Sequence, residues 1–172
     1  MKILITILIA LMTFISCKTK TKNYPDIDPT QIGNTLLWDS NNETVKKVLT
    51  QDFKLKISRV VSQMGPKIVG TIYECIGGIF NGIEVKSWAV TLENDSLIFV
   101  SINVENDDAQ KISEFKETLT NALKPDSVNY PNEDRWYLEK DGKRLSDVQI
   151  STISSNQIVV TYFKSYPKKL LF

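Results

Sequence analysis

The chain has 172 residues, 24% of them charged and 42% hydrophobic, which is a composition of folded protein and enough chain for one domain with appendages. Its 21 basic and 20 acidic residues nearly cancel, so no long-range field gathers nucleic acid or steers acidic substrates. It contains no histidine, which removes Ser-His-Asp and Cys-His nucleophiles, histidine general bases and imidazole metal ligands together.

Lys2 begins the chain with a positive charge, and an apolar run follows from Ile3 to Ile15. That run is short of the roughly 20 residues a spanning helix needs, but it fits the hydrophobic stretch of a signal peptide. Phe14-Ile15-Ser16-Cys17 then resembles a lipobox, with Phe where Leu is commoner. The resemblance implies that residues 1–16 are a lipoprotein signal peptide and that the Cys17 thiol takes a diacylglycerol. Without residues 1–16 the chain has lost Lys2 and no acid, leaving 20 residues of each sign. Lys18, Lys20 and Lys22 favour anionic headgroups by at most about 1 kcal/mol each. Neither an acidic export cluster nor an Asp at position 18 follows the cysteine. By resemblance this points to the periplasmic face of an outer membrane. Residues 18–34, with Pro25 and Pro29, read as a flexible tether. Asp26 and Asp28 lack the glycine and later carboxylate of a calcium loop and read as part of that linker.

Residues 35–172 read as one globular domain. Ser40-Asn41-Asn42-Glu43 is a capping box with Ser40 at the N-cap, and Val45, Val48 and Leu49 continue it as a helix near 41–50. Phe53, Leu55 and Ile57 alternate with polar residues as a strand does. After the break at Gly65-Pro66, a second strand runs through Ile68 to Ile76. Asn81-Gly82 predicts a hairpin closed by a type I′ turn, which sets Cys75 opposite Trp88, Tyr73 opposite Val90, and Thr71 opposite Leu92. Gly77-Gly78 is placed to bulge that ladder. A turn at Glu93-Asn94-Asp95-Ser96 leads to Ile98, Val100, Ile102 and Val104 in alternation. Asp107 to Leu123 is a helix with an apolar stripe of Ile112, Phe115, Leu119 and Leu123, and Pro125 ends it. Trp136–Lys140 and Lys143–Ile153 form a hairpin about Asp141-Gly142. Ser154-Ser155-Asn156 turns into a last strand, Ile158 to Phe163.

The order is helix, about four strands, helix, about three strands. It predicts an α+β fold: an antiparallel sheet of about seven strands with two helices packed on it. The recurring helix-then-strands unit has the form of a duplicated helix-plus-meander module. In element order alone, this resembles the small sheet-and-helix domains of bacterial envelope lipoproteins and of β-lactamase-inhibitor-like proteins. No site residue comes with that resemblance.

Several groupings carry chemistry. Glu105, Asp107 and Asp108 meet at a strand-to-helix junction, where they offer a cation site or paired carboxylates, although capping and the helix dipole already account for the two aspartates. Glu74 and Glu84, on neighbouring strands, are a carboxylate pair of the kind a glycosidase uses. Glu139 and Arg144 face each other across Asp141-Gly142 as a surface ion pair. Trp38, Trp88 and Trp136 are candidates to line a ligand groove; Trp88 alternates with core residues and reads as packing, whereas Arg135, Trp136 and Tyr137 form a candidate binding surface. Ser96 and Ser127, each in an Asp-Ser-apolar triplet, resemble sites where some bacteria attach O-glycans. Asn42 and Asn94 begin N-x-Ser/Thr patterns. Cys75, left without a partner if Cys17 is lipidated, reads as a buried small hydrophobe. No residue set asks for a metal or a cofactor.

Three functions stay open. One is a non-catalytic, membrane-anchored envelope protein that binds another protein or an envelope component, without nucleic acid. The second is an enzyme inhibitor or immunity-type protein acting through a projecting loop. The third is a carboxylate-dependent hydrolase, which needs a deep pocket with two convergent acids.

Overall fold

Asn81 and Gly82 take φ of 47° and 80°, the positive pair that a type I′ turn requires. Asn94-Asp95 (48° and 62°) and Asp141-Gly142 (52° and 73°) repeat the device. Short local sequences therefore close three hairpins. The computed structural model describes residues 26–29, 31–32, 35–36, 38, 40–62, 69–126 and 135–165.

In chain order the elements are β1 (Gln31–Ile32), β2 (Thr35–Leu36), α1 (Asn42–Asp52), β3 (Lys54–Ser62), β4 (Val69–Ile76), β5 (Ile79–Phe80), β6 (Ile83–Glu84) and β7 (Ser87–Glu93). There follow β8 (Ser96–Glu105), α2 (Ala109–Ala122), β9 (Lys124–Pro125), β10 (Arg135–Lys140), β11 (Lys143–Ser154) and β12 (Gln157–Lys164). The main sheet has the order β3-β4-β7-β8-β12-β11-β10-β9, and every neighbouring pair is antiparallel. Seven of these strands are long, and β9 is a two-residue edge. Each half is a meander running inward from one edge behind its own helix, and the two final strands, β8 and β12, pair at the centre. The α+β expectation of two helices on an antiparallel sheet is met among the described residues.

The hairpin register is the expected one: Cys75 pairs with Trp88, Tyr73 with Val90 and Thr71 with Leu92. Gly77 and Gly78 do not shift that ladder. They bend it, with φ of 72° and 149°, so that β5 and β6 leave the main sheet and form a two-stranded ladder of their own. A Cβ on Gly78 would come within 2.5 Å of Ile27 Cδ1, so packing as well as backbone conformation holds glycine there. The bent tip lies over the core. Phe80 is 1% exposed, with its ring edge-on to Phe115 (5.8 Å) and Tyr162 (6.1 Å).

The helices enclose the same side. Ile112, Phe115 and Leu119 of α2, with Val45 and Leu49 of α1, join one buried cluster with Val90, Val100, Ile102, Val148 and Val160 of the sheet. Asp108 caps α2 by accepting the Gln110 N–H at 3.0 Å. No helix among the described residues is long and apolar enough to cross a membrane.

Three local expectations are corrected. The N-cap of α1 is Asn41, which accepts the Thr44 N–H at 2.9 Å, and Ser40 is buried instead. Leu97, not Ile98, faces the core, because a bulge against β7 inserts an extra residue in β8 and resets the alternation. Ile27 is not solvated linker. It is buried, its N–H donates to Ile79 O at 2.6 Å, and the packed body accordingly starts before residue 35.

Candidate functional site

Strand alternation makes two faces. In β7, β8, β11 and β12 the inward residues are mostly buried, and the outward ones mostly half-buried. Both helices use the inward side. On the outward side the register sets two transverse rows across five strands. One is Thr91, Phe99, Phe163, Asp147 and Tyr137; the other is Ala89, Ser101, Thr161, Gln149 and Arg135.

These side chains hold one another. The Phe99 and Phe163 rings lie 6.0 Å apart. The Arg135 guanidinium lies 5.8 Å from the Phe163 ring centre, and that of Arg144 4.6 Å from the Tyr137 ring centre, the geometry of cation–π stacking. Ser101 and Thr161 share a hydroxyl hydrogen bond of 3.1 Å, and Gln157 Nε2 donates to Asn103 Oδ1 at 2.9 Å. Neither row contains a lysine or a glutamate.

Of the three residues read as a binding surface, Arg135 and Tyr137 are on this face. Trp136, one residue between them, points the other way and packs half-buried against the core beside Leu138. Trp38 and Trp88 are core residues, and the Trp88 indole N–H donates to Gly77 O at 3.1 Å. Cys75 is wholly buried, and burial pushes its thiol up to about 12.

Glu139 and Arg144 are cross-strand partners as expected, but their ion pair is not made. Lys124 takes Glu139 at 2.5 Å, and Arg144 bonds Asp126 and Asp147, each at 2.6 Å. Asp126 is 3% exposed. A buried carboxylate suffers more from losing its counter-charge than an exposed one does, so Arg144 is best used there. Burial works against the Arg144 charge, and the two carboxylate hydrogen bonds outweigh it, so its pKa is raised.

The acidic groupings disperse. Glu105 pairs with Lys86 at 3.2 Å, Asp108 is a helix cap, and the Asp107 carbonyl accepts from Asn156. Glu74 stands in the main sheet opposite Ala89, and Glu84 in the bent tip opposite Ile79. Among the described residues no set of three or more acids and cysteines is placed to hold a metal ion. Ser96 is exposed, but Asp95 before it accepts the Asn42 N–H at 2.8 Å and Leu97 after it is buried. Asn42 itself accepts from the Tyr73 hydroxyl, and Asn94 is exposed. Cys17 and Ser127 lie outside the described residues.

A cleft of about 600 Å³ opens on the helix side. Its walls come from residues 26–29, the Asn81-Gly82 tip, the end of α2 and the β10–β11 hairpin. It was not foreseen, since residues 26–29 read as linker and the tip read as part of a flat hairpin. The chain matches no protein-family model, no curated protein and no solved structure.

Proposed function

We propose that the protein is a non-catalytic lipoprotein of the cell envelope, anchored through Cys17, whose outward sheet face binds a folded protein partner. The observation that carries this is the pair of transverse rows, with Phe99, Phe163, Tyr137 and Arg135 set among Ser, Thr and Gln side chains. Aromatic and arginine side chains are enriched at the centres of protein interfaces, and lysine and glutamate are depleted there. At strand spacings of about 4.8 Å and a rise of about 3.3 Å per residue, the five strands carrying the rows present a face roughly 24 Å across and, over about seven residues, 23 Å long, which fits within the about 800 Å² that one partner contributes to a standard interface. A hydrolase would need convergent acids, and the expected pair stands apart, with Glu74 in the main sheet and Glu84 in the bent tip. An inhibitor would need a projecting loop, and the bent tip is folded onto its own core.

Site-specific photo-crosslinking in cells tests the reading. A photoreactive residue at Gln149 or Thr161 is expected to give one discrete adduct, and the same residue at Lys111 or Glu117 on α2 is expected to give none. Identical adducts from both sides, or none from either, refute the binding face. The anchor is tested separately: Cys17→Ser is expected to abolish lipid labelling and membrane fractionation, and a variant that still partitions with membranes refutes it.

A further inference from the structure

The rows of the outward face run one strand beyond β7, because Glu74 of β4 pairs with Ala89, and Ile72 with Thr91. Across β4, β7, β8, β12, β11 and β10 the first row reads Glu74, Ala89, Ser101, Thr161, Gln149, Arg135. The second reads Ile72, Thr91, Phe99, Phe163, Asp147, Tyr137. Both have their midpoint between β8 and β12, and about that line each is complementary end for end. In the first, an acid answers a base, a small side chain answers a long one, and a hydroxyl answers a hydroxyl. In the second, Ile72 answers the Tyr137 ring, the Thr91 hydroxyl answers the Asp147 carboxylate, and Phe99 answers Phe163. The relief of the surface divides in the same way. A hollow of about 330 Å³ lies mainly over β4, β7 and β8, where Ser87, Ala89 and Ser101 are small, and Gln149 stands on the other side of the midpoint.

A two-fold dimer demands this property, since the same patch meets itself and every group must fit its own image. We infer that the partner of the outward face is a second copy of this chain, packed face to face about a two-fold axis that runs along the strands between β8 and β12. The inference rests on that face being the protein-binding surface. Sheets packed in this way lie about 10 Å apart with their strands nearly aligned. The rotation turns Glu74 of each copy toward Arg135 of the other, and Gln149 of each toward the hollow at Ala89 of the other. Phe99 and Phe163 meet at the axis. An axis across the strands would instead lay β4 over β4 and β10 over β10, with like charge over like, which disfavours association.

The area sets the strength. Six strands make the face about 29 Å by 23 Å, roughly 670 Å² a copy, which is below the roughly 1,000 Å² a copy at which obligate dimers begin. The pair therefore forms and parts with concentration. Ile76, on the same face at the end of β4, is one of two exposed large apolar side chains among the described residues and widens the apolar part of the contact. A tether of up to about 30 Å permits the tilt that pairing needs. Both chain entries, where Asp26 bridges to Ile79, lie by the same strand end, three residues past β4.

The test uses two differently tagged forms of the full lipidated chain, co-solubilised in detergent, with capture of one through the other followed over a dilution series. Glu74→Arg in both forms sets Arg toward Arg twice, and Arg135→Glu in both sets Glu toward Glu twice. Each is expected to weaken capture by about tenfold or more. Glu74→Arg in one form with Arg135→Glu in the other restores both contacts, and capture is expected to return to within about threefold of the unaltered pair. Ser101→Lys removes no ion pair within a copy, sets a charge beside the axis, and is expected to abolish capture. Urea midpoints are read alongside, and where a charge swap lowers the midpoint the Ser101→Lys result decides. No capture of the unaltered chain, capture indifferent to all three substitutions, or a mixed pair no better than the single swaps at unchanged midpoints overturns the proposal. Crosslinking from Gln149 or Thr161 separates this claim from the binding face itself. An adduct of twice the chain mass supports the second copy. A discrete adduct of another mass leaves the face standing and overturns the second copy as its partner, and no adduct overturns both.

Discussion

Phe80→Ala probes whether the bent hairpin tip belongs to the core. Phe80 is 1% exposed and meets Phe115 and Tyr162 edge-on, at 5.8 and 6.1 Å. Truncating a buried Phe to Ala costs about 3–5 kcal/mol, from lost burial and the cavity left behind. Each edge-to-face pair accounts for about 0.5–1.5 kcal/mol beyond area burial. A domain of this size is stable by about 5–15 kcal/mol, so the variant is expected to stay folded with much of its margin gone. With a urea slope of about 2 kcal/mol per molar, the midpoint falls by roughly 2 M. Phe99→Ala is the control. Phe99 is half-buried on the outward face, and its loss is expected to cost about 1 kcal/mol, near the median for substitutions generally. Both are followed by tryptophan fluorescence in the unlipidated chain from Lys18, because Trp88 sits beside the Gly78 bend. A midpoint shift for Phe80→Ala no larger than that for Phe99→Ala would refute the packing of the tip on the core.

Other outcomes follow from single contacts. Arg144→Met takes the guanidinium counter-charge from Asp126, which is 3% exposed, and is expected to cost about 3–5 kcal/mol; Arg144→Met with Asp126→Leu is expected to recover most of it, and a double variant no more stable than the single one contradicts the buried pair. Cys75 is expected to resist a polar thiol reagent until the protein unfolds, and rapid native labelling contradicts its burial. Its thiol also sets a pH dependence. The folded pKa is about 12 against an ordinary 9.0, so the unfolded chain gives up this proton first. The stability it contributes is whole below about pH 9 and is lost between about pH 9 and 12, by about 1.4 kcal/mol per pH unit. Cys75→Val is expected to flatten that decline, and parallel curves for the two proteins between about pH 8 and 10 would show that the thiol plays no part.

Local chemistry made much of the sheet legible. Asn81-Gly82 fixes a two-residue turn, and counting back from it puts Cys75 opposite Trp88, as found. The α2 stripe of Ile112, Phe115 and Leu119 is equally local, because helical period alone selects those positions. What was not legible depends on contacts far apart in sequence. Gly77-Gly78 announces an irregularity, but whether it bulges or bends is decided by Phe80 reaching Phe115 and by Ile27 lying against Gly78. Ile27 is one apolar residue between two aspartates, and nothing local marks it as core. The candidate surface divided for a related reason. Arg135, Trp136 and Tyr137 are adjacent in sequence, and strand alternation sends the middle one to the opposite face. Arg144 chose Asp126 over its cross-strand partner Glu139 because the deciding factor is the burial of Asp126, which spacing does not record.

The two surfaces stand in different relations to the proposed anchor. Asp26 bridges to Ile79 on the bent tip, so the chain enters the body on the helix side, beside the cleft that Asp26 and Asp28 help to line. Asp26 is nine positions after Cys17, a stretch that even fully extended spans no more than about 30 Å. A domain of about 140 residues has a radius of gyration near 14 Å, so the tether is no longer than the body is wide. With Cys17 in a bilayer, the shortest path turns the helix side and its cleft toward the lipid and the outward sheet face toward the compartment. A folded partner diffuses in the volume that the sheet face then meets. The charge-poor, aromatic rows and the acid-rimmed apolar cleft are each suited to the medium in front of them.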